Sequence, residues 1–187
     1  MKRRISLILG LSAVALLAAP EFTPDNQLKR PANYREWIYL SSGLGMTYGP
    51  NAEPSPTPNF DNVFVEPSAY RSFLETGGWP EGAMFALEIR RSQTKGSINN
   101  GGHYQGAMGA LEIAVKDTKR FADGWGYFGF NGDAQTGRLF GEAAGCNSCH
   151  HANGAVENTF VQFYPTLVDV ARQKGTLKPS YLQGETH

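Results

Sequence analysis

Cys146 and Cys149 are the only cysteines in a chain of 187 residues, and His150 follows the second of them, giving the pentapeptide Cys146-Asn147-Ser148-Cys149-His150. Two thiols at this spacing can close on each other as a redox dithiol or join a metal site. They can also add across the two vinyl groups of one porphyrin while the next side chain reaches the iron. The last is the attachment chemistry of c-type haem, for which C-x-x-C-H is the signature. A thioredoxin-like dithiol needs the pair at a strand-to-helix turn inside a βαβ unit, and Gly137 to Gly145 supplies no such strand pattern. Zinc needs two further ligands at zinc-like spacing, and only the adjacent His151 is at hand. The expectation is one covalently held haem c, with Cys146 and Cys149 as thioether positions and His150 as the proximal iron ligand.

The sixth coordination position decides what such a haem does. A Met or second His there favours electron transfer, whereas an open position favours binding or activating a small molecule. Met46 lies in a glycine-rich loop, Met84 and Met108 fall in apolar strand patterns that suit core packing, and Met1 opens the chain. His103 sits in a polar Gly-Gly-His-Tyr connection, His151 directly follows the proximal ligand, and His187 is the last residue. None is placed as a dedicated ligand, so an accessible sixth site is expected. Glu88 and Glu112 each interrupt an apolar strand pattern, and a carboxylate over an open haem face can take up protons as a general base. Strand alternation puts 85, 87 and 89 on one face and Glu88 on the other with Met84 and Ala86. Glu112 shares its face with Ala110 and Ala114, whose small side chains leave room for a cofactor. Glu112 is therefore the candidate catalytic base, with Phe85 or Phe128 limiting access. Solvation, or pairing with Arg90, Arg91 or Lys116, is the alternative for both glutamates.

The elements that must position these groups belong to one domain of ordinary composition. Seventeen Lys plus Arg balance 17 Asp plus Glu, which argues against a nucleic-acid binder, and 41% hydrophobic residues imply a folded core. Twenty-two Gly, 11 Pro and 12% aromatics disfavour an all-α bundle. A first helix is predicted over Pro31 to Tyr39, followed by a loop from Ser41 to Asn59. A short strand spans Asn62 to Glu66, and Pro67 opens a helix that Gly77-Gly78 ends. Strands are predicted at Ala83 to Arg90 and Met108 to Val115, joined by a polar connection from Ser92 to Gly106. Gly124 to Phe130 alternates glycine with aromatics, a strand against which something flat can pack. Glu157 to Arg172 reads as a helix pair broken at Pro165.

Lys2, Arg3 and Arg4 precede an apolar run from Ile5 to Ala19, so residues 1–20 read as a secretory signal and 21–187 as the haem domain. The run is shorter than the roughly 20 residues of a membrane span. The small-residue cleavage pattern is imperfect, which leaves an uncleaved tether as the alternative. Export places the protein in the periplasm, where two free thiols would not stay unused.

Tyr34-Arg35-Glu36-Trp37, Asn62-Val63 with Pro67, Trp79-Pro80-Glu81-Gly82, Gly124-Trp125-Gly126-Tyr127-Phe128 and Phe160-Val161-Gln162-Phe163-Tyr164-Pro165 occur in that order. Together with the haem motif they resemble the cytochrome P-460 family, including the beta-type cytochromes c-prime, over about Pro31 to Leu167. The resemblance implies an α+β fold, an antiparallel sheet with flanking helices in a single domain. It also implies a homodimer as the usual state, and one haem held by His150 with its opposite face available. Members include periplasmic enzymes that oxidise hydroxylamine and proteins that bind nitric oxide or carbon monoxide, so the partners implied are a small gaseous or nitrogenous ligand and a redox protein. The hydroxylamine-oxidising members carry a lysine cross-linked to the porphyrin. Leu87 stands where that lysine is expected, while Lys95, Lys116 and Lys119 lie in polar segments, so the cross-link is expected to be absent and the enzymatic reading weakened. A one-electron carrier with an exposed haem edge is the competing class.

Overall fold

Residues 19–48 and 51–184 are described by the structure, a computed structural model; residues 1–18 of the expected leader and His187 lie outside the described residues. The described residues form seven strands: β1 (Leu28–Lys29), β2 (Ile38–Leu44), β3 (Asn59–Val65), β4 (Met84–Gln93), β5 (Tyr104–Lys116), β6 (Trp125–Phe130) and β7 (Thr136–Leu139). They form one antiparallel sheet in the order β1-β7-β6-β5-β4-β3-β2, so most neighbours in sequence are also neighbours in space. Four short helices flank it: α1 (Pro67–Thr76), α2 (Cys146–Asn153), α3 (Val168–Lys174) and α4 (Pro179–Gly184). This is the α+β single domain expected, and no described helix is long and apolar enough to cross a membrane.

Each face of the sheet carries its own core. On one face Val65, Phe85, Trp125 and Tyr127 pack with Phe73 of α1 and with Val161, Tyr164 and Leu167 from the C-terminal segment. On the other, Met84, Ala86, Leu111, Ile113, Phe128 and Phe130 are covered by Leu28, Tyr34 and Trp37. Helix α1 begins where Pro67 pre-sets the first turn and the buried Glu66 carboxylate accepts the Ser68 and Ala69 amides, each at 2.9 Å. It ends at Gly77, whose φ of 75° is the left-handed conformation a C-terminal glycine takes without strain.

Several expected elements differ. The predicted first helix is a three-residue 3-10 turn at Tyr34–Glu36 running directly into β2, which also takes residues assigned to the following loop. Tyr34 and Trp37 face one core while Ile38 packs on the other, so apolar residues read as one helix face are split between two layers. β4 and β5 run further than expected, shortening the polar connection to residues 94–103. The helix pair at Pro165 is a 3-10 turn (Val161–Phe163) followed by α3, because the proline and the turn before it interrupt the helical ladder. Thr136–Leu139, absent from the strand prediction, is β7; it is antiparallel and does not make a βαβ unit with α2.

Candidate functional site

Helix α2 lies against β6 on the Phe85 face, starts on Gly145 and carries Cys146, Cys149 and His150 on its first five residues. No disulfide joins the two cysteines; Cys146 is half-buried against the core and Cys149 exposed. Burial first, and the charge of Glu112 next, push the Cys146 thiol above its ordinary value, the reverse of the depressed thiol that redox catalysis uses. The His150 ring is clamped between Tyr127, 4.4 Å between centroids, and Phe160, 4.5 Å. Its Nδ1 donates to the Asn158 carbonyl at 2.8 Å, which leaves Nε2 as the nitrogen free to bind a metal. Burial lowers the His150 pKa, partly offset by that hydrogen bond, and the neutral ring this favours is the form that ligates iron.

Segment 154–159 turns back on α2 to bring Asn158 to His150. Gly154 makes the close return possible: a Cβ there would lie 2.7 Å from the His150 carbonyl oxygen and 2.8 Å from the Thr159 nitrogen, both backbone atoms that cannot give way.

Three cross-strand rows form the sheet surface on this side. Val65, Phe85, Ala114 and Tyr127 make the first row, Val63, Leu87, Glu112 and Gly129 the second, and Asp61, Ile89 and Ala110 the third. Val65, Phe85 and Tyr127 are buried, whereas every residue of the second and third rows is only half-buried. These two rows offer a floor of Val63, Leu87, Ile89 and Ala110 beside the carboxylates of Glu112 and Asp61, and the Phe140 ring packs over Gly129 at its edge. With two thiols and a free imidazole nitrogen presented by α2 on the same side, the donor set and the floor fit a haem.

Glu112 and Asp61 are the carboxylates of that floor. Burial raises the Glu112 pKa, and Asp61 raises it further; burial raises Asp61 as well. Asp61 escaped the sequence reading, although the alternation of Asn59–Val65 already places it with Val63 and Val65. A cavity of about 260 Å³ beside it is lined by Met46, Tyr48, Thr57 and Ile89 among others. Met84 and Met108 belong to the opposite core, so of the described methionines Met46 is the one on the site side. His103 and His151 are exposed.

Phe85 lies in the site-side core, but Phe128 is buried in the opposite core and does not control access; neighbouring residues of a strand point to opposite faces. Leu87 faces the floor beside Glu112. Lys95 and Lys119 are exposed, and Lys116 is tied to Glu157 at 2.8 Å and to the Trp79 carbonyl at 2.6 Å. Glu88 points into the far face and pairs with Arg35 and Arg90, each at 2.7 Å. Tyr127 and Phe160 lay in quoted motifs without an assigned role, and Asn158 acts through its backbone, which no side-chain pattern announces.

Residues 31–161, most of the chain, match the family model described as Cytochrome P460. No curated protein matches the sequence.

Proposed function

Because the chain belongs to the cytochrome P460 family and is therefore a haem-binding cytochrome, we propose that it is a periplasmic c-type cytochrome carrying one haem. Cys146 and Cys149 form the thioethers, His150 is the axial ligand, and an accessible sixth position binds or oxidises small nitrogen species such as hydroxylamine or nitric oxide. The bound iron supplies ligand binding and one-electron chemistry. The observation that carries the reading is the posture of His150, clamped by Tyr127 and Phe160 with Nδ1 committed to Asn158, on the same helix turn as both thiols.

Glu112 is the proton acceptor of the site. Burial and the neighbouring Asp61 charge raise its affinity for a proton, which strengthens it as a general base. Leu87 and Ile89 keep the floor around it apolar, and Phe85 closes its buried end. With Leu87 in the expected lysine position, the haem is held by thioethers alone. The positive residues before the apolar leader support export, and the family supports a homodimer working with a redox partner protein.

Acid-acetone extraction followed by optical spectroscopy tests this. Wild type should retain its haem, and the double variant Cys146→Ala, Cys149→Ala should retain none; loss from wild type refutes covalent attachment. The reduced protein should bind carbon monoxide and show an unshifted c-type Soret band. A strongly red-shifted band would instead reveal a lysine cross-link and restore hydroxylamine oxidation as the leading activity. Failure to bind carbon monoxide would assign the sixth position to a protein ligand, Met46 first, and make the protein an electron carrier. His150→Ala should change the axial coordination, and an unchanged spectrum would move the ligand elsewhere.

A further inference from the structure

Glu157 is a non-glycine residue with φ of 49°, a left-handed conformation that a side chain disfavours and that persists only where contacts impose it. Those contacts are present. Its carboxylate pairs with Lys116 Nζ at 2.8 Å and accepts the Trp79 amide at 3.2 Å, and the same Lys116 nitrogen donates to the Trp79 carbonyl at 2.6 Å. The Lys116 side chain is 14% exposed and that of Glu157 32%, so the pair lies at the edge of the solvent and is only partly screened. From the other side, the buried Trp79 indole donates to Thr159 Oγ1 at 2.9 Å, and that hydroxyl donates to the Val156 carbonyl at 2.7 Å. Residues 157–159 are thus fastened at both ends to Trp79, and the residue between Glu157 and Thr159 is Asn158, whose carbonyl meets His150.

We propose that Lys116 and Glu157, working through Trp79, are positioning residues that set the hydrogen bond between Asn158 and His150 and thereby the electron donation of the axial imidazole. The proposal rests on His150 being the haem ligand. A carbonyl held firmly against Nδ1–H makes the opposite nitrogen a stronger donor, which stabilises ferric over ferrous iron. Releasing the Glu157 carboxylate lets the strained turn relax, and the Asn158 carbonyl moves with it.

The test uses the haem-loaded protein. The ferrous iron–histidine stretch by resonance Raman and the equilibrium reduction potential are measured for wild type, Lys116→Met, Glu157→Gln, the double variant and Lys116→Arg. Each single loss should move the stretch to lower wavenumber and raise the potential. The double variant should match either single one, because both remove the same link, and Lys116→Arg should return toward wild type. If a single variant does not fold, Glu157→Asp, which keeps the charge and shortens the reach, is read in the same way. Unchanged stretch and potential in variants whose thermal stability has fallen would overturn the proposal and leave the pair purely structural. In His150→Gly without added imidazole, the iron–histidine band should disappear. If it survives, the ligand lies elsewhere and both readings fall; if it disappears but Lys116 and Glu157 have no effect, only the positioning proposal falls.

Discussion

Glu88 and Glu112 sit one register step apart on adjacent strands, Glu88 opposite Leu111 and Leu87 opposite Glu112, yet they face opposite sides of the sheet. On the far face burial pushes the Glu88 pKa up, but hydrogen bonds from Tyr34, Arg90 and Arg35 outweigh it and hold the carboxylate below its ordinary range. On the site face burial and Asp61 both push Glu112 upward. The same side chain has its charge stabilised on one side and penalised on the other. The difference is whether donors were brought to it. The far face is closed around its charge by the 3-10 turn at Tyr34–Glu36, whereas the site face keeps a half-exposed floor beneath α2.

The largest effect should come from emptying the far-face core. Phe128→Ala removes a ring that is 1% exposed and should destabilise the protein by about 4 kcal/mol. Carbon monoxide affinity of the remaining folded protein should stay near wild type; a large affinity change would mean that the two faces are not independent. Denaturant titration with parallel ligand binding measures both.

Glu88→Gln should follow at about 2 kcal/mol near neutral pH. That is less than a fully enclosed pair costs, because the Arg35 side chain is itself 57% exposed. Since the Glu88 pKa is depressed on folding, its stabilisation is present above the ordinary carboxylate range and is lost as pH falls through the depressed value. The deficit of the variant should therefore shrink in acid. A deficit that is constant with pH would show that packing, not charge, anchors this residue.

The smallest stability effect, opposite in sign, should belong to Glu112→Gln. A carboxyl whose pKa is raised on folding penalises the native state increasingly as pH rises from the ordinary carboxylate value, in full above the raised value, and carries no penalty well below about pH 4, where folded and unfolded chains are both protonated. The variant should be slightly more stable than wild type near neutral pH, with the gain vanishing toward acid, while proton-coupled turnover or ligand binding loses its pH dependence. A destabilised variant with an unaltered pH profile would return Glu112 to a structural role.

Much of this arrangement follows from local sequence. The C-x-x-C-H spacing puts three donor groups on one short helix wherever that helix sits, because the spacing acts within a single chain segment. The alternation around Phe85 and Glu112 assigns each glutamate to a face, since a strand's side chains have no other periodicity to follow. The limits of α1 are written in Pro67 and Gly77, whose backbone preferences act locally. The start of the domain was less legible: Tyr34, Trp37 and Ile38 satisfy a helical spacing, and only the two separate cores decide that they are drawn to opposite layers. Phe128 is equally apolar on either side, so its exclusion from the site depends on the register of β6. What tertiary structure alone decided is the surroundings of His150. The Tyr127 ring reaches it from a strand distant in sequence, and the Asn158 carbonyl from a turn eight residues on, whose path Lys116 and Trp79 fix. Backbone carbonyls carry no side-chain signature, and a lysine in a polar segment looks solvated until folding brings its carboxylate partner within 2.8 Å.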